Sequence, residues 1–187
     1  GNNILVENNV ITSSNYQSIY ISYANGVNVS GNKVFSRDNT SNSTNWYGIY
    51  LSNVDIDICN GNHCQQLGNK ASARGFYIAD INKDAAAPYA LFSNNEVIIN
   101  TSEPKLCYGF YIANNSKAEL INNSILMLND SISNGIHLYN GNVYLKANNN
   151  NILVPNRLGT PIIIDGEKVT YEGDYNNYWS LTNCGTY

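Results

Sequence analysis

Charge is scarce in this chain. Only 13% of its 187 residues are Asp, Glu, Lys or Arg, about half the usual share, and the net charge is −4. No cluster of lysine or arginine occurs, which speaks against a nucleic-acid partner. No apolar run approaches the roughly 18 residues of a membrane span, so no membrane insertion is expected. Proline is also rare, with four residues. Disordered chains of similar polarity are rich in Pro, Glu and Lys and poor in aromatics, whereas this one carries 15 tyrosines and is expected to fold. The four cysteines, Cys59, Cys64, Cys107 and Cys184, lack metal-site spacing, and only His63 stands near as another soft ligand. No metal or cofactor is expected, and the pairing of the cysteines does not follow from sequence.

What is abundant is asparagine, at 35 positions. Polarity here comes from amides and hydroxyls. These residues fall into two alternating phrases. The first is a small residue followed by apolar–X–apolar: Ser18-Ile19-Tyr20-Ile21, Gly48-Ile49-Tyr50-Leu51, Gly75-Phe76-Tyr77-Ile78, Gly109-Phe110-Tyr111-Ile112, Gly135-Ile136-His137-Leu138 and a weaker Pro161-Ile162-Ile163-Ile164. The second is apolar–X–apolar, two residues, Asn, X, apolar. It occurs as ILVENNVI from Ile4, VNVSGNKV from Val27, ALFSNNEV from Ala90 and AELINNSI from Ala118, with longer versions from Ile56 and Val143.

Period-two alternation over three to five residues specifies strands. Asn-Gly pairs at 25, 60, 134 and 140 are hairpin signals. Hairpins, however, do not return one strand type at intervals of about 29 residues, whereas stacked coils do. Six coils spaced by about 4.8 Å would form a prism about 29 Å long. Ile19, Ile49, Phe76, Phe110, Ile136 and Ile162 should then form one interior stack. Asn9, Asn32, Asn62, Asn95 and Asn123 should form a ladder, continued by Asn148 or Asn150. These asparagines are expected at corners near the left-handed region, each amide donating to the next.

Both phrases resemble the repeat of right-handed parallel β-helix proteins, the pectate-lyase-like superfold, from residue 1 to about 165. The resemblance implies an all-β, single-stranded right-handed parallel β-helix of about six coils over residues 1–170, with 171–187 as a tail or cap. The segment from Gly159, including GDYNNYWSLTNCGTY, is similar to the closing coil of repeat blocks in large secreted bacterial surface proteins. The opening GNNILVENN starts within a repeat, so a module cut from a longer chain is expected, with flanking domains of the same parent covering its open pole.

Tyr20, Tyr50, Tyr77, Tyr111 and His137 share one outward position, giving an aromatic stripe about 19 Å long over four coil spacings. The small residue before each strand is expected to leave room beside it. Segments 35–47, 65–74, 98–108 and 126–134 flank this strand, and in the resembled family such loops wall a groove for polysaccharide. Two roles compete, rings packing on one another and a platform for sugar rings.

The catalytic patterns of that family are largely missing. No paired acids flank the stripe, as glycoside hydrolysis requires. Asp55 and Asp57 share a strand face, but the expected neighbours Asn28 and Leu91 make a poor calcium cage. The best lyase set is Lys70 and Arg74 beside Tyr77, Tyr111 and His137, with Arg74 pairing a carboxylate and His137 as base. Asn-X-Ser/Thr triplets at Asn42, Asn100 and Asn129 follow from composition. The reading is a non-catalytic extracellular β-helix module of a larger bacterial surface or secreted protein, a spacer or adhesion segment. It would bind polysaccharide or another glycan through Tyr20, Tyr50, Tyr77, Tyr111, His137 and Arg74. The alternative is a fragment of a polysaccharide lyase or glycoside hydrolase whose active residues lie elsewhere.

Overall fold

Each alternating run becomes a strand because successive side chains point to opposite faces and only one face is apolar. The structure is a computed structural model describing residues 2–37, 45–66, 68, 72–84, 86–101, 106–129 and 132–181. Among them there is no helix, and every strand pairing is parallel. The chain winds as a β-solenoid of about six turns, with three strand columns.

The first column holds the leading parts of β3 (Gln17–Ser30) and β5 (Trp46–Asn60), then β7 (Ala73–Ile81), β10 (Cys107–Ala113), β13 (Ser133–Tyr139) and β16 (Thr160–Asp165). The second holds β1 (Asn2–Glu7), the trailing parts of β3 and β5, then β8 (Ala90–Ser93), β11 (Ser116–Ile121), β14 (Val143–Asn148) and β17 (Val169–Asp174). The third holds β2 (Val10–Ser14), β4 (Lys33–Ser36), β6 (His63–Gln66), β9 (Glu96–Ile99), β12 (Ser124–Met127), β15 (Asn151–Val154) and β18 (Asn177–Ser180). Stacking thus runs through Ser180.

Like residues meet like. Ile19, Ile49, Phe76, Phe110, Ile136 and Ile162 pair in sequence and are buried. Phe76 and Phe110 stack at 4.4 Å and 6°, with Phe92 edge-on to both. Cys59, Cys64 and Cys107 are free thiols in this interior, while Cys184 lies outside the described residues. Burial raises the Cys107 thiol to about 11 and those of Cys59 and Cys64 still further, so they act as small apolar fillers.

The ladder runs Asn9, Asn32, Asn62, Asn95, Asn123, Asn150 and then Asn176. Each Nδ2 donates to the next Oδ1 at 2.9–3.0 Å. From Asn32 onward, each Nδ2 also donates to a second-column carbonyl of the preceding coil, such as Val29 for Asn62 at 2.8 Å. Each Oδ1 accepts a second bond from the backbone N–H of the previous ladder asparagine. An interior rung therefore uses both donors and both lone pairs, which is what a fully buried amide needs.

The left-handed residue is not the ladder asparagine but the one before it. Asn8, Gly31, Gly61, Asn94, Asn122, Asn149 and Tyr175 have φ of 53–65°. They turn the chain so that the next side chain points inward. A second corner, between the first and second columns, uses Tyr23, Asn53, Asp80, Asn114 and Asn140 at φ of 53–59°. Asn28 stacks on Ile58 rather than on Asp57, because the register shifts between Val27 and Asn28, and Leu91 stacks on Ile58 from the other side.

Asn62→Ala should cost about 2–4 kcal/mol in urea unfolding, since it orphans groups on Val29, Asn32 and Asn95. The exposed left-handed Asn122→Gly should change stability by less than about 1 kcal/mol. Equal costs for the two would contradict the ladder's structural role.

Candidate functional site

Tyr20, Tyr50, Tyr77, Tyr111 and His137 do share one column, each registered on the next. Ile163 continues it. Tyr20 is 54% exposed, the middle tyrosines are half-buried, and His137 is buried. The tyrosines lie ring on ring. Tyr50 and Tyr77 are 4.3 Å apart at 11°, and Tyr77 and Tyr111 are 5.3 Å apart at 16°. Tyr20 tilts 49° from Tyr50, and His137 stands edge-on to Tyr111 at 5.4 Å. Such contacts contribute about 0.5–1.5 kcal/mol each. Both faces of Tyr77 are therefore covered by neighbours, and what it offers outward is a rim and a hydroxyl.

A second outward column precedes the first by three positions. Tyr47, Arg74, Tyr108, Asn134 and Thr160 pair in register, and Tyr16 lies edge-on to Tyr47 at 5.4 Å. The intervening glycine makes this possible. It does not leave room beside the tyrosine, as its smallness suggested. A Cβ on Gly75 would point inward to Val97 Cγ1 at 2.4 Å and Gly109 O at 2.8 Å, and Gly48, Gly109 and Gly135 are similarly confined. Two consecutive inward positions thus break the alternation and bring both flanking side chains to the outer face.

Arg74 sits at the centre. Its guanidinium carbon lies 4.9–5.8 Å from the ring centres of Tyr47, Tyr77, Tyr108 and Tyr111, and Nη1 donates to the Tyr47 hydroxyl at 2.9 Å. Cation–π attraction of about 0.5–2 kcal/mol per contact holds it there. Among the described residues no carboxylate comes within ion-pair distance of Arg74. Burial raises the phenol pKa of Tyr50 and Tyr111. At Tyr50, neighbouring Tyr77 adds to the rise, while at Tyr111 the Arg74 charge opposes it. These phenols stay protonated.

His137 packs against Tyr108 at 5.0 Å and Tyr139 at 5.5 Å. Its Nε2 is 3.7 Å from Asp165 Oδ2, too far for a hydrogen bond, and both ring nitrogens lack a hydrogen-bond partner among the described residues. Burial lowers its pKa below the ordinary value, against the pull of Asp165 and helped by Arg74. Asp165 belongs to a third outward column with Tyr139 and Ala113.

The structure brings all six expected residues onto one face. Lys70, Asn42 and much of the flanking segments lie outside the described residues. Tyr16, Tyr47, Tyr108 and Tyr139 were not anticipated at this face. The repeated aromatic or cation immediately before the glycine, at 47, 74 and 108, is the signal that marks Tyr47 and Tyr108. Among the described residues no group of His, Cys, Asp and Glu has the arrangement of a metal site. Comparison with known proteins gave no matching family model, curated protein or solved structure.

Because burial in the fold disfavours the charged imidazole, its contribution to stability is complete above the unfolded value of about 6.5 and declines as pH falls below it. An NMR titration should place the His137 midpoint below about 6.5. A midpoint above that value would show that the Asp165 carboxylate, not burial, governs the site.

Proposed function

We propose that this chain is a non-catalytic extracellular module of a larger bacterial surface or secreted protein, a rigid spacer or adhesion segment that holds polysaccharide along its first-column face. The observation that carries this reading is the unbroken line of registered rings around Arg74, which has no carboxylate within ion-pair distance among the described residues. The line follows the solenoid axis with a rise of about 4.8 Å per coil, comparable to the length of one pyranose in an extended chain. Since the ring faces are used internally, the contacts offered are phenol hydroxyls, ring edges and the exposed ring of Tyr20. The guanidinium favours chains that carry negative charge.

The chemistry of the face supports binding over turnover. Phenols held above their ordinary pKa are poor bases, and Arg74 is engaged by four rings. In the three outward columns the one carboxylate among the described residues is Asp165, so those columns supply no pair of acids of the kind glycoside hydrolysis requires. Strands at both poles, such as β1 and β16, have a partner on one side only among the described residues.

The triple substitution Tyr50→Phe/Tyr77→Phe/Tyr111→Phe keeps the stack and removes the hydroxyls. Affinity electrophoresis against neutral and acidic polysaccharides should show retention of the parent protein that weakens about tenfold in this variant, near 1.4 kcal/mol. Arg74→Gln should weaken binding to acidic chains more than to neutral ones. Release of unsaturated oligosaccharide, abolished by His137→Ala, would overturn the reading in favour of a lyase.

A further inference from the structure

Two corners on neighbouring coils, 140–142 between β13 and β14 and 166–168 between β16 and β17, are stitched together at both ends. Asn140 N donates to Asp165 O at 2.9 Å, and Val143 N donates to Lys168 O at 3.2 Å. Gly166 lets the corners approach, since a Cβ there would lie 3.1 Å from Asn140 N. Beside these stitches lies a cleft of about 490 Å³, lined by Tyr139, Asn140, Asp165, Glu167, Lys168 and two glycines. That volume lies in the usual range for small-molecule sites.

We propose that this cleft binds an amino sugar, with the protonated amine at Asp165 and Glu167 and the pyranose against the Tyr139 ring. Tyr139 is 41% exposed. Its ring is tilted 32° from Tyr111 at 5.8 Å and edge-on to His137 at 5.5 Å, and it offers apolar surface to a sugar. Asn140 Oδ1 accepts from Gly141 N at 2.9 Å, which orients the amide and leaves Nδ2 to donate to a sugar hydroxyl. Behind the cleft stands His137, 8% exposed, with Nε2 directed at Asp165 Oδ2. Neither of its ring nitrogens has a hydrogen-bond partner among the described residues. Burial disfavours the imidazolium, so the Asp165 charge is left for a cation arriving from outside.

The lining is selective. Two carboxylates, Asp165 and Glu167, stand against one ammonium, Lys168, in a chain whose net charge is −4. Among the described residues neither carboxylate has a lysine or arginine within ion-pair distance. Arg74 opposes a cation, but it stands three coils before β16 and does not line the cleft. A metal ion is disfavoured because among the described residues no third His, Cys or carboxylate joins these two in a ligand set. A lysine side chain would meet the carboxylates but leave the Asn140 amide without a hydroxyl to bind. The groups around His137 are Asp165 on β16, Tyr108 and Tyr111 on β10, Tyr139 on its own strand and, through its charge, Arg74. A cation at Asp165 and a proton on His137 compete for one carboxylate, so the two bindings oppose each other.

The test is an NMR titration of the whole chain with glucosamine, N-acetylglucosamine and Nα-acetyl-lysine amide. At pH 7 glucosamine should shift the amides of Tyr139, Asn140, Asp165 and Glu167 saturably, with a dissociation constant of about 1–10 mM. The other two should bind at least about fivefold more weakly, and added salt should weaken glucosamine. Saturating glucosamine should also lower the His137 titration midpoint by about half a pH unit. Asp165→Asn should remove both the binding and that response. Glu167→Gln should weaken binding about fivefold with the free His137 midpoint unchanged, and Tyr139→Ala should weaken it while leaving amides outside the cleft in place. Equal affinity for N-acetylglucosamine, equal affinity for the lysine amide, or saturation by glucosamine with no movement of His137 would each overturn the proposal. The Tyr50→Phe/Tyr77→Phe/Tyr111→Phe variant should bind glucosamine as the parent does, so the outcome is independent of whether polysaccharide is held along the stripe.

Discussion

The asparagine ladder is the interaction on which the rest depends. A solenoid of short strands has few residues per coil to fix its register, and a slip of one residue would turn every interior side chain outward. The ladder removes that freedom. Each rung donates to an amide ahead and to a carbonyl behind, so Asn62 is satisfied only when Asn32, Asn95 and Val29 lie in one register. The penalty for a buried amide without partners exceeds the benefit of a single bond, so the ladder acts through what misregistration would cost.

Register has consequences on both surfaces of the wall. Inside, it stacks Phe76 on Phe110 and sets Phe92 against both. Outside, it stacks Tyr50, Tyr77 and Tyr111 and closes four rings around Arg74. The glycines link the two surfaces, since a Cβ at Gly75, Gly109 or Gly135 would strike the neighbouring coil's carbonyl and a third-column side chain. One small residue per coil lets the third column close on the first and directs two aromatic positions outward.

Much of this is legible in the sequence because a solenoid's long-range contacts repeat at a nearly fixed interval. The interior column, the outward tyrosines and five ladder rungs follow from aligning the phrases. The choice between Asn148 and Asn150 does not, because the four consecutive asparagines from 148 leave the turn residue unspecified; the structure puts Asn149 in the left-handed region and Asn150 inside. Asn176 was missed because Tyr171 and Tyr178 replace the aliphatic residues Leu145 and Ile152 with which they pair. The Arg74 enclosure was half legible. Its column repeats at 47, 74 and 108, but the double inward position that turns it outward breaks simple alternation.

The most direct test of coil-on-coil register is disulfide trapping across the third column, where Ser124 pairs with Asn151 and both are exposed. Parallel neighbours at about 4.8 Å lie within the Cα separation a disulfide accepts. Ser124→Cys/Asn151→Cys should oxidise to an intramolecular bond under mild conditions, while Ser124→Cys/Ile152→Cys should stay reduced because its second thiol points into the interior. Bond formation in the second pair and not the first would place the coils out of the register on which this account rests.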